Sequence, residues 1–172
     1  IKIVVITTAV AFPLAAVLSP DVLTAESKKI VSLTNQIRVE QKLNTLRENE
    51  QLNQAAYRKA EDMILNQYFA HMSPQGKKLT DWLAMSGIKY KAAGENLALG
   101  FSSAEEVINA WTKSPTHYAN IIDPEYNEIG VSMVSGNYQT YETSLVAQFF
   151  AKIETVKTAS VAEPQKSTEM FT

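Results

Sequence analysis

Residues 144–151 read SLVAQFFA. Large apolar side chains stand next to one another twice here, at Leu145-Val146 and Phe149-Phe150. A strand with one solvated face alternates apolar and polar residues, so this stretch predicts a strand covered above and below. Just upstream, EIGVSMVSG (128–136) does alternate, with Ile129, Val131 and Met133 separated by smaller residues. A turn around SGNYQT joins the two, which predicts an antiparallel pair. A strand buried on both faces needs helices on both sides of its sheet, and the fold class that follows is α+β.

The upstream half supplies those helices. ESKKIVSLTNQIRVEQKL (26–43) puts Ile30, Leu33 and Ile37 on one helical stripe, and a polar break at NTLRENE follows. QLNQAAYRKAEDMILNQYFAH (51–71) repeats the period through Leu52, Ala56, Ala60 and Met63, and His71 ends this predicted helix. MSPQGKKL is a turn by its Pro and Gly. TDWLAMSG fits a short helix capped by Thr80 and ended by Gly87. After the extended-looking IKYKAAGENLALG, the helix SSAEEVINAWTKS opens with a capping box, Ser102 with Glu105 or Ser103 with Glu106, and buries Val107 and Trp111.

Composition bounds the function. The 172 residues suit one domain, placed at 26–151. Sixteen basic and 18 acidic side chains give a net charge of −2 without a clustered basic excess, so no nucleic-acid partner is expected. No cysteine is present, which excludes disulfides, thiolate metal sites and a cysteine nucleophile. Residues 3–18 carry no charge, and residues 1–25 are read as a signal peptide or N-terminal membrane anchor, with anchoring through residues 1–20. Residues 152–172 mix Lys, Glu, Thr and Ser with few large apolar groups and read as a polar linker or tail.

The chain has two histidines. In SPTHYANII (114–122) Ser114 can cap a helix, Pro115 suits its first position and His117 falls at the third. Free amides and the positive end of the helix dipole there disfavour added positive charge, and a neutral ring is what a metal or a general base requires. Alternatively, His117 packs on Trp111 or bonds a backbone carbonyl. His71 stands at a helix C-terminus, where the dipole favours the protonated ring, and is equally a plain helix-terminal residue. Glu95 in AGENLALG, flanked by Leu97 and Leu99, either turns inward to a cation, histidine or metal, or lies outward on a strand edge. GENLALG lacks the spacing and the lysine of a phosphate loop, so no nucleotide cofactor is expected.

TNQIRVEQKL, LNQAAYRKAEDM, YFAHMSP, GENLALG, the W…SPTHYANI stretch and YNEIGVSMV occur in order from about residue 32 to residue 151. Together they resemble the CAP superfamily, the cysteine-rich secretory, antigen-five and pathogenesis-related proteins, and most closely its bacterial branch. The resemblance implies a three-layer α-β-α sandwich with a small antiparallel sheet, exported from the cell, secreted or membrane-anchored. It implies a cleft lined by His71, Glu95, Asn96, Ser114 and His117. His71 and His117 match the family's two cleft histidines, which in some members hold a divalent ion, often zinc, and Glu95 matches the cleft glutamate. The chain departs from many eukaryotic members in having Ser114 where they carry a second cleft glutamate, and in lacking their cysteine signatures.

Two functions follow as expectations. The first is a non-enzymatic module that binds an extracytoplasmic ligand, a cell-envelope component, lipid or protein, with zinc or another divalent metal held weakly by His71 and His117. The second is a metal-dependent hydrolase using His71, Glu95 and His117, with Glu95 as candidate catalytic base or third ligand. A metal-free route through Ser73 or Ser114 lacks the strained elbow motif of serine hydrolases.

Overall fold

The structure, a computed structural model, describes residues 19–153. The apolar segment before Ser19 and the tail after Ile153 lie outside the described residues. The elements run α1 (Pro20–Glu40), β1 (Arg47–Glu48), α2 (Glu50–Leu65), α3 (Leu79–Met85), β2 (Ala92–Leu99), α4 (Ala104–Lys113), α5 (Pro115–Ile121), β3 (Glu128–Tyr138) and β4 (Tyr141–Lys152). The sheet order is β1-β3-β4-β2. β4 is antiparallel to both neighbours, with Phe149 opposite Gly130 on one side and Glu95 on the other.

Every residue from Ser144 to Ala151 is buried, as the unbroken apolar pattern predicts. Val146 and Phe150 pack with Ile30 and Val31 of α1, Val107 and Trp111 of α4 and Ile121 of α5. Leu145, Ala147, Phe149 and Ala151 turn the other way, to Leu52, Ala56 and Met63 of α2 and Trp82 and Leu83 of α3. The result is the expected three-layer α-β-α sandwich, with α1, α4 and α5 on one face and α2 and α3 on the other. Gln148 is the one polar residue of β4's buried core stretch between Leu145 and Ala151, and it is satisfied there: its Nε2 donates to Thr34 Oγ1 at 2.9 Å, and its Oε1 accepts from Asn96.

α2 lies along β3 at close range. A Cβ added to Gly130 would stand 2.3 Å from the Leu52 carbonyl carbon, and one added to Gly136 would stand 2.7 Å from Ile64 Cγ2. Twelve residues of helix and six of strand both cover about 20 Å, so helix and strand keep step between these two contacts.

Several local details differ from the sequence reading. α1 starts at Pro20, behind the N-cap Ser19, upstream of residue 26. The supposed polar break contains β1, a two-residue strand parallel to β3, so the sheet is not wholly antiparallel. The hairpin turn is confined to Gln139-Thr140, because Ser135–Tyr138 continue pairing with β4 and Gln139 takes the left-handed turn (φ 57°). Thr80 lies inside α3. The cap position belongs to Lys78, whose N–H donates to Asp81 Oδ2 at 2.7 Å. Gly87 ends α3 as expected, left-handed at φ 71°, with Gly87 N–H on Ala84 O and Ile88 N–H on Leu83 O. At α4 Ser103 caps and Glu106 reaches back to the Ser102 N–H.

Gly130→Ala should therefore lower stability by at least ~2 kcal/mol, because backbone rather than a flexible side chain occupies the space a methyl needs. Urea unfolding of the two proteins measures this, and an unchanged midpoint would contradict the close approach.

Candidate functional site

β2, the edge strand next to β4, presents alternate side chains to the two helical layers. Leu97 faces α2 and α3, and Ala98 faces α1 and α4. Glu95 shares the first face and Asn96 the second, by the same alternation. Glu95 is inward, its side chain 4% exposed, and its Oε1 is 2.5 Å from His71 Nδ1. Its Oε2 is buried without a hydrogen-bond partner. The open alternative of an outward strand-edge carboxylate is thus excluded.

His71 is not at a helix end. α2 stops at Leu65, Gln67 turns left-handed (φ 54°), and the N–H groups of Gln67 and Tyr68 bond back to Ile64 O and Met63 O. The dipole reading of His71 therefore fails, since the ring sits six residues beyond the helix. What fixes the loop is Lys59, fully buried on α2. Its ammonium donates to Ala70 O at 2.7 Å, His71 O at 3.2 Å and Tyr68 Oη at 3.4 Å, and lies over the Tyr68 ring at 5.0 Å. Burial pulls the Lys59 pKa down, and the charges of Glu95 and Asp62 pull against that. Burial and the hydrogen bond to Asp62 push the Tyr68 hydroxyl up, so it stays protonated and donates to Asp62 Oδ2 at 2.6 Å.

His117 occupies the third position of α5, as read from the sequence. Ser114 stands at the cap position, but its hydroxyl meets His117 Nδ1 at 2.8 Å and caps no amide, because the imidazole reaches back one turn to take it. The ring stacks on Trp111, centroids 6.3 Å apart. Burial lowers the His117 pKa, and the nearby charge of His71 lowers it further. Behind the ring, Asn96 Nδ2 donates to His117 O at 3.1 Å and to Gln148 Oε1 at 3.0 Å, while Asn96 Oδ1 accepts from Asn120 at 2.8 Å. Arg38, 1% exposed, donates to Ile121 O and Asp123 O and so pins the far end of α5.

The structure thus pairs His71 with Glu95 and His117 with Ser114, sets Asn96 behind His117, and brings the histidines within electrostatic reach of each other. Lys59, Tyr68, Asn120 and Gln148 were missed. Lys59 had a signal: it stands three residues after Ala56 and four before Met63, inside the buried stripe of α2.

A divalent ion can be tested against these donors. Both imidazoles engage the protein through Nδ1, which leaves Nε2 as the atom that would hold an ion, and a carboxylate on Nδ1 is the usual support of a metal-bound histidine. The Glu95 oxygens are spent or buried, and among the described residues no group of three or more His, Cys, Asp or Glu side chains is placed to hold a metal. Two imidazole nitrogens fall short of a catalytic zinc set of three protein ligands.

Two outcomes are expected of the metal-free protein, where a chain with two histidines gives separable ring-proton NMR signals. His117 should titrate below the ordinary 6.5. A pKa lower in the folded state means that the unfolded chain binds more protons, so this group's contribution to stability is complete above 6.5 and is lost as pH falls toward the folded pKa. The melting temperature should accordingly drop between about pH 7.5 and about pH 5.5, and drop less in His117→Gln. Lys59→Met should move the His71 ring signals and leave those of His117 in place, and unchanged His71 signals would show that the ammonium does not hold that loop.

Comparison with known proteins agrees with this architecture. The sequence model described as CAP, cysteine-rich secretory protein family, matches residues 31–150. The uncharacterised protein YkwD of Bacillus subtilis (strain 168) is 41% identical over 125 residues, 72% of this chain and 49% of YkwD. The uncharacterised membrane protein YlbC of the same organism is 31% identical over 110 residues, 64% of this chain and 32% of YlbC. The chain thus spans about half, or less, of the length of these relatives. Among solved structures, an extracellular protein containing an SCP domain from Bacillus anthracis superposes with a TM-score of 0.68 at 27% identity, covering 80% of this chain and 45% of that one. An outer surface protein from Borrelia burgdorferi shares the fold, with a TM-score of 0.68 at 22% identity over 76% of this chain and 94% of that one. With the sandwich, the ordered motifs and the profile in agreement over the same residues, the chain belongs to the CAP, or cysteine-rich secretory protein, family.

Proposed function

We propose that this CAP domain is an extracytoplasmic binding module whose His71/Glu95/His117 cleft receives a cell-envelope component, with a divalent ion held weakly between the two imidazoles. The observation that carries the reading is the Nδ1 engagement of both rings, His71 by Glu95 and His117 by Ser114. Each ring keeps Nε2 for a ligand or ion while its own orientation is fixed from behind. An ion bound there would supply a Lewis-acid contact for an anionic or carbonyl group of the ligand. Glu95 orients His71, Ser114 orients His117, and Asn96 anchors the start of α5 through the His117 carbonyl.

Binding is favoured over the alternative, a metal-dependent hydrolase, by the state of Glu95. Its carboxylate is buried and already engaged with His71, so Glu95 is poorly placed to take a proton from water. An extracytoplasmic location is supported by the description of the Bacillus anthracis neighbour as an extracellular protein. Among the described residues no helix is long and apolar enough to cross a membrane.

Calorimetric titration of zinc into the chain, compared with His71→Ala and His117→Ala, tests the reading. Each substitution should weaken binding at least about tenfold, and equal heats from all three proteins would remove the ion. Turnover of ester, peptide or peptidoglycan substrates that His117→Ala abolishes would replace the binding module with the hydrolase.

A further inference from the structure

At the opposite edge of the sheet from the cleft, β1 pairs with β3 only at Glu128 and Ile129. From Val131 to Ser135 that edge of β3 has no strand beside it among the described residues. Exposed edges are commonly blunted by shortness, a bulge, proline or lysine, and this stretch, SMV between Val131 and Ser135, carries no proline and no charge. Two of its amides are met instead by side chains standing where a neighbouring strand's carbonyls would be. Val131 N–H donates to Asn53 Oδ1 at 2.9 Å and Met133 N–H to Ser27 Oγ at 2.9 Å.

The edge forms the floor of an open groove between α1 and α2, with a volume of about 740 Å³. Leu23 lines one wall, Tyr57 and Leu65 the other, and Val131 and Met133 the base. Tyr57 is 47% exposed and Leu65 72%, so the fold leaves apolar surface on this wall uncovered. The rim is acidic. Glu48, Glu50 and Glu61 line the groove and are exposed, with Lys28 the one cation among its lining residues. Their hydrogen bonds go to the neutral groups of Asn53, Gln54 and Tyr57, and none of the three is in an ion pair among the described residues.

We propose that this groove is a second binding site, which takes a basic, extended polypeptide segment as an added strand on β3. Each feature selects part of that occupant. The strand edge, its amides met only by the Asn53 and Ser27 side chains, offers main-chain hydrogen bonds to an extended peptide that displaces them, and a segment of five residues would match the open length of about 16 Å. The apolar walls take alternate apolar side chains, and three unpaired carboxylates on the rim favour lysine or arginine at the positions between them. Asn53 and Ser27 yield their amides to the incoming carbonyls, and both side chains are partly exposed and can turn to water. The site is independent of the cleft, which lies beyond β4 on the far edge strand β2.

The test uses the full chain and a seven-residue peptide of alternating lysine and valine, blocked at both ends and fluorescently labelled. Saturable anisotropy change is expected, together with slowed amide hydrogen exchange at Val131, Met133 and Ser135 and unmoved ring signals of His71 and His117. Glu50→Gln combined with Glu61→Gln should weaken binding several-fold while the melting temperature stays within a few degrees, since neither change sets a positive charge at the start of α2. The same peptide N-methylated at every residue, added to the unaltered protein, should not bind. Absence of saturable binding, equal binding of the methylated peptide, or exchange slowed elsewhere on the surface would each overturn the proposal.

Discussion

The double burial of β4 is the constraint from which the architecture follows. A strand carrying Leu145, Ala147, Phe149 and Ala151 on one face and Val146 and Phe150 on the other can leave neither face to water, so helices must close both. The cost of setting a polar residue in the middle of that strand is offset by a chain of hydrogen bonds. Gln148 is held by Thr34 of α1 and Asn96 of β2, and Asn96 in turn by Asn120 of α5. The same chain that satisfies the core polar group places the strand and the helix that carry the site.

The His71–Glu95 pair is set in place at a cost in buried charge. A carboxylate with one oxygen unpartnered and a lysine with no exposure lie on the same side of the sheet, each lowering the other's penalty across a low-dielectric interior. Such groups are retained only where partners surround them. Here the partners are the loop carbonyls at Ala70 and His71 and the His71 ring itself. Rigidity of the loop and burial of the charges are therefore one arrangement seen from two sides.

Much of the layering was legible because it is written in periodicity. SLVAQFFA announced a strand with two covered faces, and Gly87 and Ser103 announced helix ends through residue types that only those positions favour. What was not legible depends on partners distant in sequence. Nothing local marks Arg47 and Glu48 as a strand, since two residues become one only by lying beside β3. The end of α2 was placed too late because a glutamine, rather than a glycine, adopts the left-handed turn at residue 67. Ser114 looked like a cap and became a support for His117, a choice made by an imidazole three residues on. Family resemblance, rather than pattern, drew His71, Glu95 and His117 together, and the structure pairs His71 with Glu95 and His117 with Ser114.

The two rings hang from different layers. His71 belongs to the loop tethered beneath α2 and His117 to the helix that continues α4. A guest that touches both would act as a rivet through the whole sandwich, since the layers could no longer separate without first ejecting it. Occupancy of so small a site would thus be felt as resistance to unfolding everywhere in the domain, in proportion to the logarithm of guest concentration.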